Sequence, residues 1–505
     1  MRMTLSRLSQ RSAEPLLGAH SRPEKLPGRR PALRVASAGP LLMLLLLLTL
    51  LLVAGCSVGP DYHAPKVALP PGWVEAGAGA TTNGTAALSQ WWTAFQDPLL
   101  DSLIGRAVRT NYDLQAAEAR LRAGRALRGA VISDFLPTVS AIGSYTKARR
   151  SQNALAFPVR LIDTDTYQAG FDASWEIDVF GGKRRALEAF NADVQAIEED
   201  RRNVLVSLIS EVARGYIELR ATQHRLGLAK KNLATQQETL EITRQRFNAG
   251  LASDLEVSQA RGVIATTRSQ IPAIETLEKQ FLHRLCVLLA QPPGALQDEL
   301  ERETPIPPTP PEVPSGLPSD LLRRRPDVRR SERQLAAATA RIGVATAELF
   351  PKFSLTGVAG FQSLHTANWI APESEFWSFG PSVRWRFLEY PRLHAQIRAQ
   401  TATQEAVLAQ FQQTVLTSLE EVENSLVAYA KEKERHEALK EAVAANQRAL
   451  DLANEVYRSG LGEFLNVLIA ARAVYEAEDA LAQSQGAVSV NLVALYKALG
   501  GGWNE

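Results

Sequence analysis

Tyr167-Gln168-Ala169-Gly170-Phe171-Asp172-Ala173-Ser174-Trp175-Glu176-Ile177 alternates without a break. One face carries Tyr167, Ala169, Phe171, Ala173, Trp175 and Ile177, and the other Gln168, Gly170, Asp172, Ser174 and Glu176. Such a period of two marks a strand with one apolar face. A second stretch sets Trp377, Phe379, Pro381, Val383, Trp385 and Phe387 against Ser378, Gly380, Ser382, Arg384 and Arg386. Each has about the 9–11 residues of a membrane-crossing strand. Partner strands are expected at 138–145 and 352–362, just after Pro137 and Pro351. A half-buried strand of a soluble sandwich shows the same period. The lack of further strand-like stretches to build a second sheet favours the membrane. Four strands cannot close a barrel, and an open edge facing lipid would leave backbone N–H and C=O groups unsatisfied. Several chains must then share one barrel: about eight strands is the practical minimum, and three chains would give twelve.

Each alternating stretch leads into a long helix. No proline interrupts residues 183–248 or 392–458, which are rich in Ala, Gln, Glu, Leu and Arg. At 1.5 Å per residue each could extend roughly 100 Å. Small residues between apolar ones, as around Val204, Leu208, Val212 and Leu219, permit close side-by-side packing. An ordinary long coiled coil would read the same way. Each helix ends at a glycine tip, Arg246-Phe247-Asn248-Ala249-Gly250-Leu251 and Val456-Tyr457-Arg458-Ser459-Gly460-Leu461, where glycine suits the left-handed closing position. An amphipathic return helix follows each tip.

These parallels extend over the chain. At a spacing of about 210 residues, Trp175 meets Trp385, Glu211-Val212 meets Glu421-Val422, and Gly250-Leu251 meets Gly460-Leu461. With a shift of about four, Asp113, Leu121, Pro137 and Gly143 fall on Asp327, Leu335, Pro351 and Gly357. The chain therefore holds two copies of one unit, 99–291 and 319–500, joined by a proline-rich connector at 292–318 that is expected to be extended. A tail, 501–505, closes the chain. The resulting fold class is mainly α with a small β part.

The N-terminus reads as an export leader, 1–55. Basic residues precede an apolar run of about 14 residues, short of the roughly 20 needed for a spanning helix. The run ends in Val53-Ala54-Gly55-Cys56, similar to a bacterial lipobox. Cleavage before Cys56 would let it carry several acyl chains, enough for stable anchoring. Residues 56–98 then form an anchored segment with a low-complexity linker at 76–84. Once Cys56 is acylated, Cys286 is the sole thiol left, set in a helical apolar stretch where a buried, inert role is expected.

Composition excludes other classes. The 505 residues carry a net charge of +2, without the basic excess of a nucleic-acid binder. Seven His and two Cys are scattered, leaving little for a metal cluster, and no metal or cofactor is expected beyond the lipid on Cys56. No G-x-S-x-G, P-loop or ligand-spaced His pair suggests an enzyme. The run Arg323-Arg324-Arg325 reads as solvated charge.

Cys56-Ser57-Val58-Gly59-Pro60-Asp61-Tyr62, Trp91-Trp92, Asn111-Tyr112-Asp113-Leu114, Arg325-Pro326-Asp327-Val328, Leu349-Phe350-Pro351 and both Gly-Leu tips together resemble the TolC-like outer membrane efflux proteins, in particular their NodT-like lipoprotein branch. The resemblance implies a homotrimer: long helical hairpins forming a periplasmic α-barrel, continued by a shared 12-stranded transmembrane β-barrel. It implies the passive exit duct of a tripartite pump, with a periplasmic adaptor (membrane fusion protein) and an inner membrane transporter as partners. The place implied is the Gram-negative outer membrane, lipid-anchored and extending into the periplasm, and Ser57 after the cysteine accords with sorting there. Gly250, Leu251, Gly460 and Leu461 correspond to the adaptor-docking tips. Related channels close with acidic residues just past the second tip, where this chain has Asn466 and Ile469. Glu463 lies nearby, and Asp254 and Glu256 stand in the first copy, so either an acidic ring or an apolar constriction with Leu468 and Ile469 is open. The rival reading is a lipid-anchored periplasmic coiled-coil scaffold without a pore.

Overall fold

The computed structural model describes residues 57–75, 80–81, 88–149, 151, 163–310, 313–314 and 316–503, so Cys56 and the leader lie outside the described residues. The first repeat runs α1 (Pro98–Thr110), α2 (Tyr112–Ser133), β1 (Thr138–Ala148), β2 (Thr164–Ile177), α3 (Gly182–Asn248) and α4 (Asp254–Leu288). The second runs α5 (Pro326–Ala347), β3 (Lys352–Ser363), β4 (Glu375–Arg384), α6 (Tyr390–Arg458) and α7 (Phe464–Ala498). At 67 and 69 residues, α3 and α6 are each about 100 Å long.

Local chemistry sets the boundaries. Asp97 accepts from the N–H groups of Leu99 and Leu100 with Pro98 in the first turn, so α1 starts there. Asn111 caps α2 through the Leu114 N–H. The two copies also use equivalent internal ties. Asn111 Nδ2 donates to the Leu288 carbonyl at 3.0 Å, and Arg325 Nη1 donates to the Ala498 carbonyl at 3.0 Å. Trp175 Nε1 donates to Phe135 O at 2.8 Å, as Trp385 Nε1 does to Leu349 O at 2.9 Å. The duplication is therefore one of hydrogen bonds as well as of sequence.

The main core lies where the hairpins meet the N-terminal segment. Trp91, Phe95, Leu100 and Leu103 pack on Val212 and Tyr216 of α3, Leu285 of α4 and Leu492 and Tyr496 of α7. The Trp91 and Tyr496 rings stack at 5.1 Å. Cys286 is a free thiol fully buried in this core.

The four strands form one antiparallel sheet in the order β1-β2-β3-β4, so the β2–β3 seam joins the two repeats. Tyr167 pairs with Ser363 and Ile177 with Phe353 across that seam. Among the described residues the outer edges, on β1 and β4, have no strand beside them.

Four expectations need correction. The fourth strand stops at Arg384: Trp385 has its indole on the Leu349 carbonyl, and Phe387–Glu389 is already a helical turn leading to Pro391 in the first turn of α6. The low-complexity linker is not wholly free, because Ala80–Thr81 pairs in parallel with Val313–Pro314. The connector is not extended throughout, since Gln297–Leu300 forms a helical turn, held by Arg220, which donates to the carbonyls of Leu300 and Arg302. Arg325 is not solvated charge. It is buried, bonded twice to Asp327 and ion-paired with Glu421, and so ties α5 to α6 and to the end of α7.

Candidate functional site

Two regions carry functional geometry, the sheet and the hairpin tips. On the sheet the apolar face predicted from alternation is bare in the single chain. Phe171 is 62% exposed, Trp377 67% and Phe379 75%. Aromatic rings gather at both strand ends. Tyr145, Tyr167 and Trp369 pack together at one end, with ring centroids 5.0 and 6.1 Å apart, while Trp175, Trp385 and Phe387 stand at the other. The eight residue steps from Tyr167 to Trp175 span about 26 Å along the strand, which matches the apolar band of an outer-membrane barrel between its aromatic girdles. Among the described residues no helix is long and apolar enough to cross a membrane.

The tips lie side by side at the opposite end of the hairpins. Leu240, Ala260, Leu450, Phe464, Val467 and Leu468, drawn from α3, α4, α6 and α7, share one apolar cluster. Each long helix closes in the same way. Gly250 (φ 77°) and Gly460 (φ 74°) take the left-handed conformation. The N–H of Leu251 returns to Arg246 O and that of Gly250 to Phe247 O, with Leu461 to Val456 and Gly460 to Tyr457 in the second copy. This double return is the Schellman closure, which needs a residue without a Cβ penalty at the turn. It leaves Leu251 70% and Leu461 85% exposed at the extremity, as apolar knobs.

The five gate candidates separate once placed. Asp254 and Glu463 are exposed at the starts of α4 and α7, and Asn466 and Ile469 are exposed on the first turns of α7. Glu256 differs. It forms a capping box with Ser253 and also accepts from the Tyr457 hydroxyl at 3.3 Å. Leu468 is turned partly into the tip cluster, leaving Ile469 as the more open apolar group.

Tyr457 is the residue that sequence reasoning missed. It is the hub between tips: the Arg246 guanidinium lies 4.4 Å from its ring, Phe464 packs at 5.4 Å, and its hydroxyl reaches Glu256. Burial raises its phenol pKa; Arg246 opposes this and Glu256 adds to it. The available signal was its alignment with Phe247, an aromatic at the same turn of the other copy. Among the described residues no cluster of His, Cys, Asp or Glu could hold a metal ion.

Comparison with known proteins fits this geometry. A family model for outer membrane efflux proteins matches residues 103–291 and 317–501, which are the two repeats. Nodulation protein T of Rhizobium leguminosarum bv. trifolii is 31% identical over 454 residues, spanning 90% of this chain and 96% of that protein. The antibiotic efflux pump outer membrane protein ArpC of Pseudomonas putida is 34% identical over 468 residues, spanning 92% and 96%. The solved outer-membrane channel OprN superposes with a TM-score of 0.83 at 36% identity, covering 89% of this chain and 100% of that one. The open state of the Neisseria gonorrhoeae MtrE outer membrane channel gives 0.78 at 26%, covering 89% and 99%. Such proteins are channels of efflux pumps, not enzymes. A bare apolar sheet face between aromatic girdles, long paired hairpins and a duplicated unit all agree with these relatives, and the chain belongs to the outer membrane efflux protein family.

Proposed function

We propose that three copies of this chain close a single pore and act as the passive exit duct of a tripartite pump. The observation that carries this is the four-stranded sheet, with an apolar face in the open and, among the described residues, two unpaired edges. In lipid those edges require strands from neighbouring copies, and three copies give twelve strands. Acyl chains on Cys56 add a second attachment to the same membrane. The exposed knobs Leu251 and Leu461, held out by Gly250 and Gly460, form the docking surface for a periplasmic adaptor. That adaptor links the duct to an energised inner membrane transporter. A scaffold without a pore would leave the apolar sheet face uncovered.

The closed end is a mixed constriction. Ile469 and Leu465 supply exposed apolar surface, and Asp254 and Glu463 supply exposed carboxylates. Glu256 serves instead as a tether to Tyr457. Single-channel conductance of the purified oligomer in a planar bilayer tests the reading. Defined conductance steps are expected, with Glu463→Gln changing cation block. A folded trimer that never conducts under opening conditions would favour the scaffold, and no effect of Glu463→Gln or Asp254→Asn would leave a purely apolar constriction.

A further inference from the structure

The residues directly after Cys56 are held in a built seat. The Val58 N–H donates to Phe180 O at 3.2 Å, in the turn that joins β2 to α3. Arg185, on the first turn of α3, has a side chain only 4% exposed and spends it on this segment. Its Nε donates to Val58 O at 3.1 Å, its Nη2 to Gly59 O at 3.3 Å and to Asp61 Oδ1 at 2.6 Å, and its Nη1 to Glu188 at 2.7 Å. Arg185 holds the Asp61 carboxyl below its usual range. On the other side the segment meets α5 of the second repeat. Tyr62 donates to Glu332 at 3.1 Å and packs on Ala192, Ala336 and Ala337.

Sterics make the seat specific to this peptide. A Cβ on Gly59 would stand 2.4 Å from the Gly343 Cα, and one on Gly181 would stand 2.7 Å from the Ser57 Cα. A Cβ on Gly343 would meet the Arg185 side chain at 2.8 Å. Three backbones thus approach one another as only glycines allow, with a buried guanidinium filling the remaining space. By contrast, Gly72 in the same N-terminal segment has nothing within 4 Å of its Cβ position. Residue 56 must start within one peptide unit, about 3.8 Å, of Ser57. Ser57 lies against Gly181, four positions beyond Ile177, the last residue of β2.

We propose that residues 57–62, locked between α3 and α5 by Arg185 and Gly59, form a fixed bracket that sets where on the barrel wall the acyl chains of Cys56 enter the membrane. This rests on the reading of Cys56 as the acylated residue. The anchor is then no free tether. It enters beside the periplasmic end of β2, and the bracket spans both repeats, so it seats only where the two have docked. Arg185 is a positioning residue, and lysine cannot replace it because one ammonium cannot reach four acceptors held in a fork.

The test compares the wild-type full chain with Gly59→Ala, Arg185→Lys and the control Gly72→Ala, all expressed in cells fed a photoactivatable fatty acid. Intact mass of the N-terminal peptide reports acylation. After irradiation, wild type and Gly72→Ala should concentrate acyl crosslinks at the periplasmic ends of β1 and β2. Gly59→Ala and Arg185→Lys should stay acylated and helical but lose those crosslinks about tenfold, with amide exchange at 57–62 faster by a similar factor. Crosslinks in Gly59→Ala at the wild-type sites and yield would overturn the bracket. An N-terminal peptide without acyl mass would instead sink the lipid reading. The seat would then be judged by exchange, and unchanged protection of 57–62 in Gly59→Ala would refute it.

Discussion

The two hairpins match in length, with α3 and α6 of 67 and 69 residues and α4 and α7 of 35 each, but they meet their surroundings differently. Along α3 buried residues recur from Arg185 to Ala229 and again at Thr243. In α6 they are confined to Leu393 and a stripe from Phe411 to Tyr429, and beyond it Leu452 and Val456 are open. The tips differ as well. Ser253 and Glu256 cap α4 with a full box, whereas α7 starts at Glu463 with no side-chain cap and Asn466 at the position equivalent to Glu256. Duplication supplied one hairpin twice. The first is buried against its own chain, and the second keeps an open apolar flank and a less tightly closed start.

Aspartate substitutions should separate these roles most strongly. Val212→Asp places an unpaired charge in a fully buried site and should cost more than about 4 kcal/mol, seen as loss of the helical unfolding transition. Leu452→Asp should leave that transition within about 0.5 kcal/mol while abolishing the oligomer in gel filtration. Equal unfolding by both would erase the distinction.

The second effect concerns the equivalent ties at Asn111 and Arg325. Burial alone would raise the Asp327 pKa, but its bonds to Arg325, the guanidinium charge and backbone N–H groups hold it below the ordinary carboxylate range. A lowered pKa adds stability that is present at neutral pH and lost as pH falls through the folded value. Asp327→Asn should therefore cost about 3 kcal/mol near neutrality and converge on wild type in acid. Asn111→Ala, with no titrating group, should cost about 1–2 kcal/mol at every pH. A pH-independent Asp327→Asn would contradict the assignment.

Smaller effects are expected at the helix ends. Ser253→Ala should lose about 1 kcal/mol, and the double change Glu463→Ser with Asn466→Glu should gain about as much by building the missing box in the second tip. Amide exchange at the start of α7 is the sensitive readout. Least of all, Ala290 closes α4 in the left-handed region (φ 56°) where Gly500 closes α7. Ala290→Gly should gain up to about 1 kcal/mol in thermal unfolding.

Much of this is legible in the amino-acid sequence, because period and punctuation are local. Alternation located the strands to within a few residues, proline-free runs gave α3 and α6, and Gly250 and Gly460 gave the tips. Matched tryptophans revealed the duplication. Arg325 was misjudged because its partners Glu421 and the Ala498 carbonyl are far away in sequence, and only folding brings them together. Glu256 was only partly legible, for a different reason. Ser253-Asp254-Leu255-Glu256 carries the capping-box spacing, yet a carboxylate near a tip also fits a gate, and the bond to Tyr457 appears only in the fold. The end of β4 was lost because Trp385 and Phe387 keep the alternating pattern after the chain has turned toward α6.

Closure of the sheet by neighbouring copies is the claim on which the pore depends, and paired cysteines test it directly. Cys286 is fully buried and does not interfere. Single cysteines scanned along the β1 edge at Ser140, Ile142 and Ser144, each combined with one at Ser378, Gly380 or Ser382 on β4, would be oxidised in intact outer membranes. Bridging between copies at one register, giving covalent dimers and trimers and nothing larger, is the expected result. Bridges formed only within a chain, or at no register in a correctly folded protein, would contradict a shared barrel.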